Sequence, residues 1–284
     1  MKNRFLAPDL SALPAPHVIE DLDYETLVGE RVDELSTRFP AWDVGSLETD
    51  PLKVNQEVEA YFELMTRGRV NDASKAVLIT HAVGSDLDAI GARFATSRLT
   101  DEPDADYRER ILLALEAFAS AGPAGAYRYH AKAAHSQVKD VGLSVPRPGA
   151  VLVAVLSREG DGTPSAEVVS AVRSRLNDDA IRPLTVAITV KPAIVTPYRV
   201  KVLLHIPAGP DPQELVSAAR ANLETITSNR HSVGAPVNLS ALIAAAHVSN
   251  VQSVVIAEPT RDLVPNADQV FWCEGFDISY EVLA

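Results

Sequence analysis

Residues 138–156 read VKDVGLSVPRPGAVLVAVL, and the fold is decided there. β-Branched and apolar residues crowd 138–145, the turn formers Pro146-Arg147-Pro148-Gly149 interrupt them, and an unbroken apolar run fills 150–156, which together spell strand, turn, strand. Downstream the strand signal keeps returning. A Gly160-Asp161-Gly162 turn leads to Thr163 and Pro164, expected as cap and first-turn residue of a helix that points Val168, Val172 and Leu176 inward. Residues 185–190 then close a strand-helix-strand unit. A similar order follows: a strand over 198–206, a capping box Asp211-Pro212-Gln213-Glu214 opening a helix with Leu215, Ala219 and Ile226, a short helix from Asn238 through Leu242 to Ala246, a strand over 251–257 and an edge strand after Gln269.

Upstream of Ser136 the period is helical. Leu27, Arg31, Val32 and Leu35 mark a short helix that Pro40 stops. Asp50 caps, and Pro51 starts, a helix whose Val54, Val58, Tyr61, Phe62 and Met65 form one apolar stripe, running on past Gly68 and Val77 toward Ala82. Gly84 reads as a terminator, with Leu87, Ile90 and Gly91 on a short helix after it. A further helix carries Tyr107, Ile111, Leu115 and Phe118, and an alanine-rich one covers 125–135. The first 20 residues, with Pro8, Pro14 and Pro16, read either as an extended arm that needs another surface or as a frayed terminus. The expectation is an α+β protein, a mostly helical N-terminal half followed by two small α+β units, with bounds 1–20, 21–136, 137–197 and 198–284.

Composition narrows the function classes. Hydrophobic residues make up 46% and charged residues 23%, with a mean hydropathy of +0.02, so a folded core is expected and no run reaches the roughly 20 apolar residues of a membrane span. Lys and Arg are outnumbered 26 to 38, a net charge of -12, which argues against a nucleic-acid surface. The lone Cys273 has no disulfide partner and stands in a strand-like setting, and the N-terminal residues lack the apolar core of a secretory signal, so assembly in a reducing cytoplasm is expected.

Nothing in the sequence assembles a catalytic, cofactor or metal site. His130 and His135 lie five apart, about 140° on a helix instead of stacked, and Asp101, Glu102, Asp104 and Asp106 lack the glycine and closing Glu of a calcium loop and read as a solvated helix start. Asp86 and Asp88 read as caps of the short helix. No phosphate loop or nucleophile elbow occurs. The reading is that the chain is not an enzyme; the rival is a hydrolase using Asp86, Asp88 or His130. What remains are surfaces: the stripe on the second helix, the helix over 107–118 and Trp272, each either an interface or a local core.

Taken in order, Phe39-Pro40-Ala41-Trp42-Asp43, Thr49-Asp50-Pro51, Arg69-Val70-Asn71-Asp72-Ala73, Ala82-Val83-Gly84-Ser85-Asp86-Leu87-Asp88 and Tyr107-Arg108-Glu109-Arg110 resemble the baseplate-J-like wedge proteins of contractile-tailed phages. The likeness continues through Ala121-Gly122-Pro123, Ala126-Tyr127-Arg128-Tyr129-His130-Ala131, Val138-Lys139-Asp140-Val141, Pro146-Arg147-Pro148-Gly149 and Ile181-Arg182-Pro183-Leu184-Thr185, so that it spans roughly residues 20 to 260. The resemblance implies a structural subunit that joins a second copy and a smaller wedge protein, contacts hub, sheath and other baseplate proteins, and sits in a virion tail baseplate, a tailocin or another contractile injection particle assembled in the bacterial cytoplasm. It further implies that the helical half enters a bundle, for which Val54, Val58, Tyr61, Phe62, Met65, Tyr107, Ile111, Leu115 and Phe118 are the candidate face, while the α+β portion links copies. Here Asp101-Glu102-Pro103-Asp104-Ala105-Asp106 replaces the usual Glu-Ser-Asp before Tyr-Arg-x-Arg, and the final 25 residues, with Trp272, match least.

Overall fold

The computed structural model describes residues 16–42, 49–117, 122–209 and 211–283. The chain divides into two compact units, residues 1–98 with 103–109, and residues 99–102 with 110–284. Helical elements fill the first and strands dominate the second, so the α+β class holds.

In the first unit α1 (Tyr24–Arg38) starts at Asp23, whose carboxylate accepts from Thr26 N at 2.8 Å. Helix α2 (Pro51–Ala76) starts where the sequence places it: Asp50 accepts from Leu52 N and Lys53 N, and Pro51, which has no N–H to lose, takes the first turn. It runs through Gly68 but stops at Ala76, short of Ala82. Polar contacts join α1 and the segment before it to α2. Arg31 reaches Glu63 at 2.6 Å and Glu59 at 3.2 Å, Tyr24 donates its hydroxyl to the Glu57 carbonyl, and the Asn71 amide pairs with both backbone groups of Glu20.

Gly84 does not terminate a helix; it opens α3 (Gly84–Arg93). Its φ of +52° is reached cheaply only without a Cβ, and its N–H donates to Asp104 at 3.0 Å. Helix α4 (Asp104–Ala117) follows, and the expected continuation through Phe118 to residue 121 lies outside the described residues. Tyr107 is buried and donates to Thr96 O at 2.6 Å. A Cβ on Gly91 would stand 1.9 Å from the Tyr107 hydroxyl, so the glycine is what admits the ring.

In the second unit α5 (Ala124–Lys132) precedes a three-stranded sheet of β1 (Val138–Arg147), β2 (Ala150–Ser157) and β3 (Ala187–Pro192). Strands β1 and β2 are antiparallel; α6 (Ala166–Leu176) crosses over to make β3 parallel to β2. The cap of α6 is Ser165, which accepts from Val168 N, and not the expected Thr163. Val168, Val172 and Leu176 are buried with Tyr127, Ala131, Val141, Val153 and Val155 in one core. The second sheet has the order β5-β4-β6, from β4 (Ile194–Pro207), β5 (Ser253–Glu258) and β6 (Gln269–Leu283). It too has a central strand with one antiparallel and one parallel neighbour. Helices α7 (Pro212–Arg230) and α8 (Leu239–Ala246) cover it, with Leu215, Ala219, Leu223 and Leu242 packed on Val200, Leu204 and Ile206.

One residue, Ala193, separates β3 from β4: its N–H donates to Val155 O in the first sheet, and that of Ile194 donates to Asp268 O beside the second. A shared cluster of Ala154, Leu156, Ala193, Val233 and Val270 fills the junction. The two α+β pieces thus belong to one compact unit.

Candidate assembly surface

Helix α2 has 26 residues and only two, Ala60 and Asn71, are buried. One side carries the buried Ala60, Glu63 paired with Arg31 of α1, and Arg67 and Asn71, which reach Glu20 before α1. Val54, Val58, Tyr61 and Met65 recur at alternating spacings of four and three, and with Phe62 they cover about 100° of the wheel, centred roughly opposite that side. All five are between 42% and 64% exposed. Tyr61 and Phe62 meet edge to face at 5.8 Å, which presets part of the surface. A spacing of this kind matches the seam of a helix laid along α2 at a shallow angle.

The other candidates divide. Tyr107 and Ile111 are each 1% exposed and belong to the chain's own core, which corrects the bundle-face reading for those two. A helical period tells which residues share a face and is silent on what covers it. Leu115, one turn further on, is 62% exposed, and Phe118 lies outside the described residues. Trp272 is half-buried with its ring 4.8 Å from that of His231.

His231 anchors a joint inside the second unit. Lys139 on β1 donates to its Nδ1 at 3.0 Å, which leaves the proton on Nε2 to donate to Asp161 O at 3.1 Å. Burial, with the Lys139 ammonium, pushes the imidazole below its ordinary range. Next to it Asp140 accepts from Val233 N at 2.9 Å, and a Cβ on Gly142 would stand 2.3 Å from Ala267 O. β1 is thereby stitched to the segment after α7.

The residues that could serve chemistry are tied up or isolated. Asp88 caps nothing: it pairs with Arg98 at 2.7 Å, and Arg98 also reaches Asp104 at 2.7 Å and lies over the Tyr107 ring. The Gly84 N–H and Arg98 hold the Asp104 carboxyl below the usual carboxylate range. Glu102, expected in solvent, is buried and clamps Arg110 through two hydrogen bonds of 2.8 and 2.6 Å; the signal missed was the arginine eight residues on. His130 belongs to the second unit and Asp86 and Asp88 to the first. Burial and Arg175 push the His130 imidazole down, and the cavity of about 170 Å³ beside it is lined by no carboxylate. Burial raises the Cys273 thiol, which blunts it as a nucleophile. Among the described residues no group of three or more His, Cys, Asp or Glu could hold a metal ion, and no helix is long and apolar enough to cross a membrane.

Comparison with known proteins points to a structural role. Residues 48–105 match the model of the baseplate J-like N-terminal domain, and residues 119–192 that of the baseplate J-like central domain. Baseplate protein J of Escherichia phage P2 is 37% identical over an alignment covering 95% of this chain and 96% of that protein. The chain belongs to the baseplate J-like family. Membership makes it a structural baseplate protein and implies a role without catalysis. Several of the short pieces that resemble this family are joints of the fold: Gly84 and Asp88 with Arg98 and Asp104, Arg108 donating to Ile79 O and Ala82 O, and Lys139 and Asp140 on β1.

Proposed function

We propose that this baseplate J-like protein is a wedge subunit of a contractile phage tail. It joins a second copy of itself and a smaller partner around the central hub, and relays the rearrangement that lets the sheath contract. The observation that carries this reading is the α2 stripe: five large apolar side chains on one face of the helix left in solvent, a surface that a folded chain keeps when another chain covers it. Leu115 is a separate exposed candidate on the second unit. The virion tail baseplate is the place this role implies, reached after assembly in the host cytoplasm. That the similar protein comes from a phage favours a phage tail over a tailocin or another injection particle.

The test is Val58→Asp in the complete tail gene set. A charge in the middle of the seam leaves the isolated chain folded, with an unchanged circular dichroism spectrum, and abolishes wedge and particle assembly. Normal contractile particles from this variant would sink the proposal.

A further inference from the structure

The joint around His231 borders a cleft of about 330 Å³ that lies wholly inside the second unit, at the small end of the roughly 300–1,000 Å³ range of ligand pockets. Lys139 of β1, Arg158 after β2, Glu224 and Ser228 of α7, and Trp272 and Phe276 of β6 line it. Elements distant in sequence thus meet in one concavity. His231, which also lines it, is held by hydrogen bonds at both ring nitrogens, with the Trp272 ring 4.8 Å away. That wall is set before anything binds, which lowers the entropy lost on filling the cleft.

The lining mixes charge, ring and hydroxyl. Lys139 and Arg158 outnumber Glu224, so a chain with a net charge of -12 presents a locally positive spot here, which draws an anion. Trp272 and Phe276 add aromatic rings that a bare ion would leave unused. Glu224, Thr227 and Ser228 share one face of α7 at helical spacing and form a row of oxygen acceptors; Thr227 donates its proton to Leu223 O at 2.8 Å and has only acceptor capacity left. A hydrocarbon ligand would bury these charges without partners, and a lone ammonium would use one acceptor of the row.

We infer that this cleft binds an acidic sugar, a pyranose ring that carries a carboxylate. The C–H face of the ring lies on Trp272 and Phe276, its hydroxyls donate to Glu224 and Thr227 and exchange hydrogen bonds with Ser228, and its carboxylate accepts from Lys139 and Arg158. Lys139 already donates to His231, and Arg158 to Ser136 O and Val138 O, so both cations are positioned in advance. Such a ligand meets every kind of group in the lining. The site goes beyond the assembly role and requires nothing of the α2 stripe.

Isothermal titration calorimetry of the purified full chain with sodium D-glucuronate tests it. The comparison ligands are D-glucose, which lacks the carboxylate, acetate, which lacks the ring, and L-phenylalanine, which brings an ammonium and an aromatic ring. Glucuronate is expected to bind saturably and each of the others at least about tenfold more weakly. Trp272→Leu and Glu224→Gln are each expected to weaken glucuronate binding by about fivefold or more. Glu224 is exposed, so its variant keeps the fold even if Trp272→Leu does not. No saturable heat with glucuronate, comparable binding of any of the other three, or full affinity in Glu224→Gln would overturn the acidic-sugar site.

Discussion

Helices α2 and α7 carry apolar stripes of the same kind, and the fold treats them differently. On α7, Leu215, Ala219, Leu223 and Thr227 recur every fourth residue and all are buried, the apolar three against Val200, Leu204 and Ile206 of the sheet beneath. On α2, Val54, Val58, Tyr61 and Met65 stand in solvent, while Glu63 pairs with Arg31 of α1 and Asn71 with Glu20 of the segment before it. Ion pairs of this exposure contribute little each, whereas the described residues of the strand-rich unit pack into extensive hydrophobic clusters. The difference teaches that amphipathic spacing marks a face without naming its cover: for α7 it is the same chain, and for α2 we propose that it is the assembly.

The comparison can be broken by substitutions that ought to be costly in one place and silent in the other. Glu102→Gln removes the charge of the buried partner that clamps Arg110 and should cost about 3–5 kcal/mol in urea unfolding. Leu204→Ala empties a fully buried site between β4 and α7 and should cost about 2–5 kcal/mol. Gly142→Ala pushes a methyl into the Ala267 carbonyl and should cost about 1–3 kcal/mol.

Acid provides a gentler probe of the joint at β1. His231 is held neutral in the folded chain, whereas an unfolded chain takes up the proton near pH 6.5. The unfolded state therefore binds more protons once the pH falls below that value, so stability is full above it and declines as the pH drops toward the lowered folded pKa. Urea midpoints between pH 7.5 and 5.5 should fall, and His231→Gln, which keeps an acceptor for Lys139 and a donor for Asp161 O, should reduce the slope. The smallest effect belongs to α2: Phe62→Ser should move the midpoint of the isolated chain by no more than about 0.5 kcal/mol, and a loss as large as that of Leu204→Ala would show the stripe to be core.

Much of the architecture was legible in the sequence. The Asp50-Pro51 and Asp211-Pro212 starts are local signals that need no tertiary information, and the apolar run over 150–156 announces a strand buried on both faces. Tyr107 and Ile111 were ambiguous because a period defines a face and not its cover. Glu102 was misread because an acidic stretch beside a helix start is ordinarily solvated, and only the fold brings Arg110 onto it. Gly84 failed as a terminator for a similar reason, since its partner Asp104 lies 20 residues away. Of the candidate surface, the α2 stripe was readable residue by residue, while the meeting of Lys139, Glu224 and Trp272 around one cleft depends on the tertiary fold.

The most direct test of the central claim is the mass, by size-exclusion chromatography with light scattering, of whatever this chain forms when co-expressed with its genomic neighbours. The account predicts a stable complex of this chain, a second copy and one smaller partner, lost in Val58→Asp. A monomer that ignores every neighbour would contradict it.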